Sequence, residues 1–119
     1  MASKKQVIIG LDWDGTVSDY SDAFAFLASR FNSAIIITLN EGITTAMAAK
    51  TLKLEKGAIT VEICPDERVA DSHQWKAEIC VKYDVAIMFD DDPNVILACK
   101  KQGIHAITVR EFIYRFKED

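Results

Sequence analysis

Val7-Ile8-Ile9-Gly10-Leu11-Asp12-Trp13-Asp14-Gly15-Thr16-Val17 is the stretch that decides the fold. Five residues with no polar face, closed by acids and a glycine, read as a strand buried on both sides, and such strands belong to parallel sheets. Asp12 and Asp14 therefore stand where that strand leaves the core. Asp is rarely placed there without a partner, and two like charges so close raise each other's pKa unless a cation intervenes. A metal ion is the simplest remedy. The competing reading is an Asp-Gly turn in which Asp14 is only a turn residue.

Downstream, Phe24, Leu27, Ala28 and Phe31 recur at helical spacing and predict a helix from about Tyr20 to Phe31. Ala34-Ile35-Ile36-Ile37 is a second continuously apolar strand, ending in Thr38-Leu39-Asn40. Asn40 is expected to cap the next helix, with Ile43, Met47 and Leu52 inward and Gly57 as its stop. In Ile59-Thr60-Val61-Glu62-Ile63 apolar and polar residues alternate, which places this strand at a sheet edge. Cys64 to Ala70 reads as a loop. Asp71 or Ser72 then caps a helix to about Lys82, with Trp75, Ile79 and Tyr83 inward. A fourth buried strand, Val85 to Phe89, ends in Asp90-Asp91-Asp92-Pro93. Asp92 suits the cap and Pro93 the first position of a helix running to Gly103. A fifth strand spans Ile104 to Val109. Thr108 and Glu111 have capping-box spacing for a last helix with Val109, Phe112, Ile113 and Phe116 on one side.

Five strands alternating with five helices predict an α/β fold: a three-layer, doubly wound, five-stranded parallel sheet forming one domain over residues 1–119. Ligands in such sheets bind beyond the carboxyl ends of the strands, where the strand order reverses. With strand one between strands two and four, about 4.8 Å apart, Asp12, Asp14, Thr38, Asp90 and Asp91 meet in one crevice. Neither G-x-G-x-x-G nor G-x-x-x-x-G-K-[ST] occurs, so the dinucleotide and P-loop phosphate cradles are excluded.

Composition narrows the partners. The net charge of -4 and a pI near 5.1 leave no overall cationic field for a polynucleotide or an anionic membrane, although Lys4-Lys5 and Lys100-Lys101 act locally. The chain opens without a signal peptide and has no run of membrane-spanning length, so a cytoplasmic protein is expected. Cys64, Cys80 and Cys99 are widely spaced and include no C-x-x-C pair, the pattern of reduced, mostly buried thiols.

Asp12-Trp13-Asp14-Gly15-Thr16, a strand ending in Thr38, a following lysine, and a strand ending in Asp90-Asp91 together resemble the four motifs of the haloacid dehalogenase-like (HAD) hydrolase superfamily. The resemblance covers nearly the whole chain in the family's order. The segment from Lys76 through Tyr83-Asp84-Val85 to Phe89-Asp90-Asp91 also resembles the 3'-phosphatase domain of a phage polynucleotide kinase. The resemblance implies a Mg2+-dependent phosphomonoester hydrolase with Asp12 as the nucleophile that becomes an aspartyl-phosphate, and Asp14 as the acid and base. It implies that the Thr38 hydroxyl and the Leu39 backbone N–H hold the phosphate. Lys76 is the expected site cation, with Lys82 as the alternative. Asp12, Asp14, Asp90 and Asp91 form the expected metal set, with Asp91 either direct or one shell out.

The chain departs from the family in one respect. Between Asp14 and Ile35, and between Thr38 and Asp90, there is no room for a cap domain, so the site is expected to be open. An open site suits a phosphorylated nucleic-acid end, or requires a partner copy to close over a small phosphorylated molecule such as a nucleotide. Two non-enzymatic readings compete: a phospho-aspartate receiver, and a catalytically silent HAD-fold binding module. Receivers carry the acceptor Asp after strand three, where this chain has Ile63-Cys64.

Overall fold

The computed structural model describes residues 7–118, with side chains as far as Tyr114. Strands β1 (Ile8–Leu11), β2 (Ser33–Thr38), β3 (Ile59–Ile63), β4 (Ile87–Asp90) and β5 (Ala106–Thr108) form one parallel sheet in the order β3-β2-β1-β4-β5. Helices α1 (Ser21–Ala28), α2 (Thr45–Leu52), α3 (Ser72–Lys82), α4 (Pro93–Lys101) and α5 (Val109–Glu118) alternate with the strands. The alternating strand, and hence the one with polar residues on one face, does lie at an edge.

Strand alternation sorts the core into two layers. Ile9, Leu11, Ala34, Ile36 and Phe89 face one side, where Phe24, Ala48, Leu52, Val109 and Ile113 bring in α1, α2 and α5. Ile35, Ile37 and Met88 face the other, against Trp75, Ile79, Cys80, Val95 and Cys99 of α3 and α4. The three-layer arrangement expected from the sequence is therefore present. All three cysteines are free and buried. No helix among the described residues is long and apolar enough to cross a membrane.

Several boundaries differ from the sequence expectation, each for a local reason. Asn40 does not cap α2. Its side-chain oxygen accepts from the Gly42 N–H in a turn, and Thr44 is the cap, accepting from the Met47 N–H at 3.1 Å. The later start rotates the helix, so Ala48 and Ala49 face the core and Met47 is 43% exposed. Lys53, not Gly57, ends α2, in a left-handed conformation. Helix α1 stops at Ala28, and Phe31 packs on the core from beyond it. The loop after β3 contains a tight helical turn, Asp66–Asp71. Asp71 stands at the α3 cap but gives its carboxylate to Arg68. Strand β4 starts at Ile87, β5 is confined to Ala106–Thr108, and Val109 already belongs to α5. Asp92, Pro93 and Thr108 cap as expected: the Asn94 N–H donates to Asp92, and the Glu111 N–H donates to Thr108. Lys4, Lys5 and the side chain of Phe116 lie outside the described residues.

Candidate active site

The register of the sheet gathers the acids. Leu11 is opposite Phe89, and the Asp12 N–H donates to the Phe89 carbonyl at 3.0 Å, which sets Asp12 level with Asp90 at the point where the strand order reverses. By the same alternation Asp90 follows Met88 onto the α3–α4 face. Lys76, one turn into α3, reaches between the two acids. Its Nζ donates to Asp12 Oδ1 at 2.9 Å and to Asp90 Oδ2 at 2.8 Å, and all three side chains are buried. Lys82 is 63% exposed by side chain and faces Glu62 at 3.8 Å, so Lys76 is the lysine brought to the acids.

The remaining bonds fix the carboxylates. Thr16 Oγ1 donates to Asp12 Oδ2 at 3.0 Å, and the Asp92 N–H donates to Asp90 Oδ1 at 2.9 Å. Thr16 is buried and was not singled out from the sequence, although its place four residues after Asp12 in a tight turn is the available signal. That turn depends on Gly15, whose φ of 78° suits glycine and where an added methyl would collide with the Asp91 carboxylate.

Asp12, Asp90 and Asp91 each offer a carboxylate oxygen within 4.8 Å of the others. Asp12 and Asp90 are buried and Asp91 is exposed, with the one ammonium of Lys76 between the buried pair. Burial pushes the Asp12 carboxyl up to about 7, with the charge of Asp90 adding to the shift and Lys76 opposing it. Burial likewise lifts Asp90 to about 6 against the pull of Lys76. Burial lowers the pKa of Lys76, but the charges of Asp90 and Asp12 outweigh it and hold the ammonium above its ordinary value. The hard oxygen donors of the three acids could hold a metal ion.

Asp14 is not gathered with these three. It is exposed, and Asn40 Nδ2 donates to its two oxygens at 3.2 and 3.4 Å. It nonetheless lines the same cavity as Asp12, a space of about 200 Å3 also bordered by Thr38, Leu39, Ser72, His73, Lys76, Asp90, Asp91 and Asp92. Buried Thr38 accepts from the Asn40 N–H at 3.0 Å through Oγ1, which leaves its hydroxyl proton available to donate. Ser72 and His73 are further wall residues that sequence reasoning missed, as is the hold of Asn40 on Asp14. His73 Nε2 lies 3.0 Å from Asp92 Oδ2, so Asp92 serves the rim as well as the α4 cap. Every sequence-predicted site residue thus borders one cavity beyond the carboxyl ends of β1, β2 and β4.

No protein-family model matches the chain, and no curated protein matches it.

Proposed function

We propose that the protein is a cytoplasmic, Mg2+-dependent phosphomonoester hydrolase of the HAD type, without a cap domain, that works through an aspartyl-phosphate on Asp12. The observation that carries this reading is the Lys76 ammonium held between Asp12 and Asp90 at the strand-order reversal. A buried nucleophile with an adjacent cation and a cavity of about 200 Å3 suits a phosphoryl group.

In this mechanism the Asp12 carboxylate attacks phosphorus, and the bond from phosphorus to the leaving oxygen breaks. Asp14, at the solvent edge of the same cavity, gives its proton to that oxygen. It then takes a proton from the water that attacks the aspartyl-phosphate, releasing inorganic phosphate and restoring Asp12. Lys76 balances charge on the nonbridging oxygens, while Thr38 and the Leu39 N–H orient them. Asp12, Asp90 and Asp91 would hold Mg2+, with Asp14 entering only by moving from Asn40. The bound ion supplies charge neutralisation between carboxylate and phosphate.

The strand order supports this reading over a phospho-aspartate receiver, whose doubly wound sheet runs 2-1-3-4-5. Nucleotides or phosphorylated nucleic-acid ends are the substrates proposed, with a partner copy able to cover the open site. Colorimetric phosphate release from a generic monoester, with Mg2+ and with chelator, tests the function. Release only with Mg2+ is expected, and none in either condition would overturn it.

A further inference from the structure

A second cavity, of about 510 Å3, opens beside the first, and Asp91 lines both. It lies beyond the carboxyl ends of β1, β4 and β5. Tyr20, from the entry to α1, and Arg110 and Tyr114, from the first two turns of α5, project to its wall. All three are exposed, and among the described residues none of their polar ends has a hydrogen-bond or ion-pair partner. Two aromatic side chains from two elements and a planar cation one turn from Tyr114 on α5 thus face the cavity over the buried Val109 and Ile113, which close the core beneath them. The first cavity has the size for a phosphoryl group, whereas the second is within the range of small-molecule sites.

From this we infer that the second cavity binds the leaving group of the substrate, and that this leaving group is a single nucleoside. The inference rests on the hydrolase reading above. Tyrosine rings stack on any nucleobase whatever its sequence, and a guanidinium adds both stacking and N–H donors for ring acceptors. An aliphatic polyol would use neither ring. The charge of the wall narrows the class further. Apart from Asp91 of the proposed metal set, Asp19 offsets the one guanidinium of Arg110, so further phosphates along a nucleic-acid strand would find no net cationic field on this wall. The hydroxyls of one ribose would instead find acceptors. A mononucleotide fits where a phosphorylated polynucleotide end does not.

The test compares adenosine 5'- and 3'-monophosphate, glycerol phosphate and a 3'-phosphorylated oligonucleotide with the full chain and Mg2+. Preference in kcat/KM for an adenosine monophosphate over both others is expected. Tyr20→Ala and Tyr114→Ala should each cut the ratio of that kcat/KM to the glycerol phosphate value by about ten-fold, as loss of one base stack does. Phe at either position should preserve the ratio, because the ring is kept. Calorimetric binding of the same mononucleotide to Asp12→Asn with Mg2+ gives a readout free of turnover, and adding Tyr20→Ala should weaken it to a similar degree. Turnover of all substrates with a ratio near one, or preference for the oligonucleotide, overturns the nucleoside site and spares the hydrolase. No turnover of any substrate, with tyrosine-dependent mononucleotide binding retained, overturns the hydrolase and supports the site. Binding indifferent to both tyrosines overturns the site in either case.

Discussion

Lys76 Nζ lies 2.9 Å from Asp12 Oδ1, joining two side chains that are 64 residues apart in sequence and both buried. The same ammonium holds Asp90, so one helix residue bonds to acids from the ends of two adjacent strands. Removing it leaves two buried carboxylates facing each other and Asp91. Breaking a buried pair from one side costs about 3–5 kcal/mol. Lys76→Met should therefore lower stability in chelator by about that amount, read by urea unfolding, and abolish phosphate release. Lys82→Ala, at an exposed position, should stay within about 0.5 kcal/mol of the parent. Equal effects of the two substitutions would sink the assignment of Lys76.

Asp12→Asn keeps the shape of the side chain and removes both the proposed nucleophile and one of the crowded carboxylates. Turnover should fall by about three orders of magnitude or more, as loss of a nucleophile does elsewhere. The melting temperature in chelator at pH 8 should be equal to or above that of the parent, because burial already makes the ionised Asp12 unfavourable. Near-parental turnover would rule out covalent catalysis at this residue.

Much of this site was legible in the sequence because buried parallel strands announce their ends. Val7 to Leu11 and Ile35 to Ile37 are apolar on both faces, so the first polar residue after each marks the crevice. Lys76 was harder to place, since α3 carries charged residues all round and periodicity alone does not separate it from Lys82. Its depth follows from the close approach of α3 to the carboxyl end of the sheet. Asn40 and Met47 were misplaced because Asn40 and Thr44 are both good caps by type. The Asn40 side chain is used in the Gly42 turn and toward Asp14, and so the later cap prevails. The second cavity was not legible at all, for Tyr20 and Tyr114 are distant in sequence and belong to no motif.

Metal and pH are linked through Asp12 and Asp90. Their folded pKa values, about 7 and about 6, lie above the ordinary 3.8, so the unfolded chain releases these protons first as pH rises. The stability they contribute is complete below about pH 4 and is lost as pH climbs through 6 and 7. Lys76 stays charged across this window, since its pKa is raised. In EDTA the melting temperature should fall from pH 4.5 to pH 8. Added Mg2+ should raise it more at pH 8 than at pH 5, where protons compete for the same oxygens. By calorimetry Asp90→Asn should weaken Mg2+ binding more than Asp92→Asn does, because Asp92 bonds the α4 terminus and His73. A melting temperature that rises over this pH range in EDTA would contradict the burial of these carboxyls.

Gly15 separates a backbone requirement from an ordinary turn. With φ at 78° and the Asp91 carboxylate where a methyl would go, Gly15→Ala must shift either the turn or Asp91. An alanine forced to positive φ costs about 1 kcal/mol or more. Because Asp91 is one of the three gathered carboxylates and Thr16 in the same turn bonds Asp12, the displacement should also weaken Mg2+ binding and slow turnover. Gly57 is the control, with no atom within 4 Å of an added methyl and no positive φ. Gly57→Ala should be neutral or stabilising by about 0.4–1 kcal/mol through the unfolded chain, with Mg2+ affinity unchanged. If Gly15→Ala bound Mg2+ as tightly as Gly57→Ala, Asp91 would not belong to the metal set, and Asp12 and Asp90 alone would have to hold the ion.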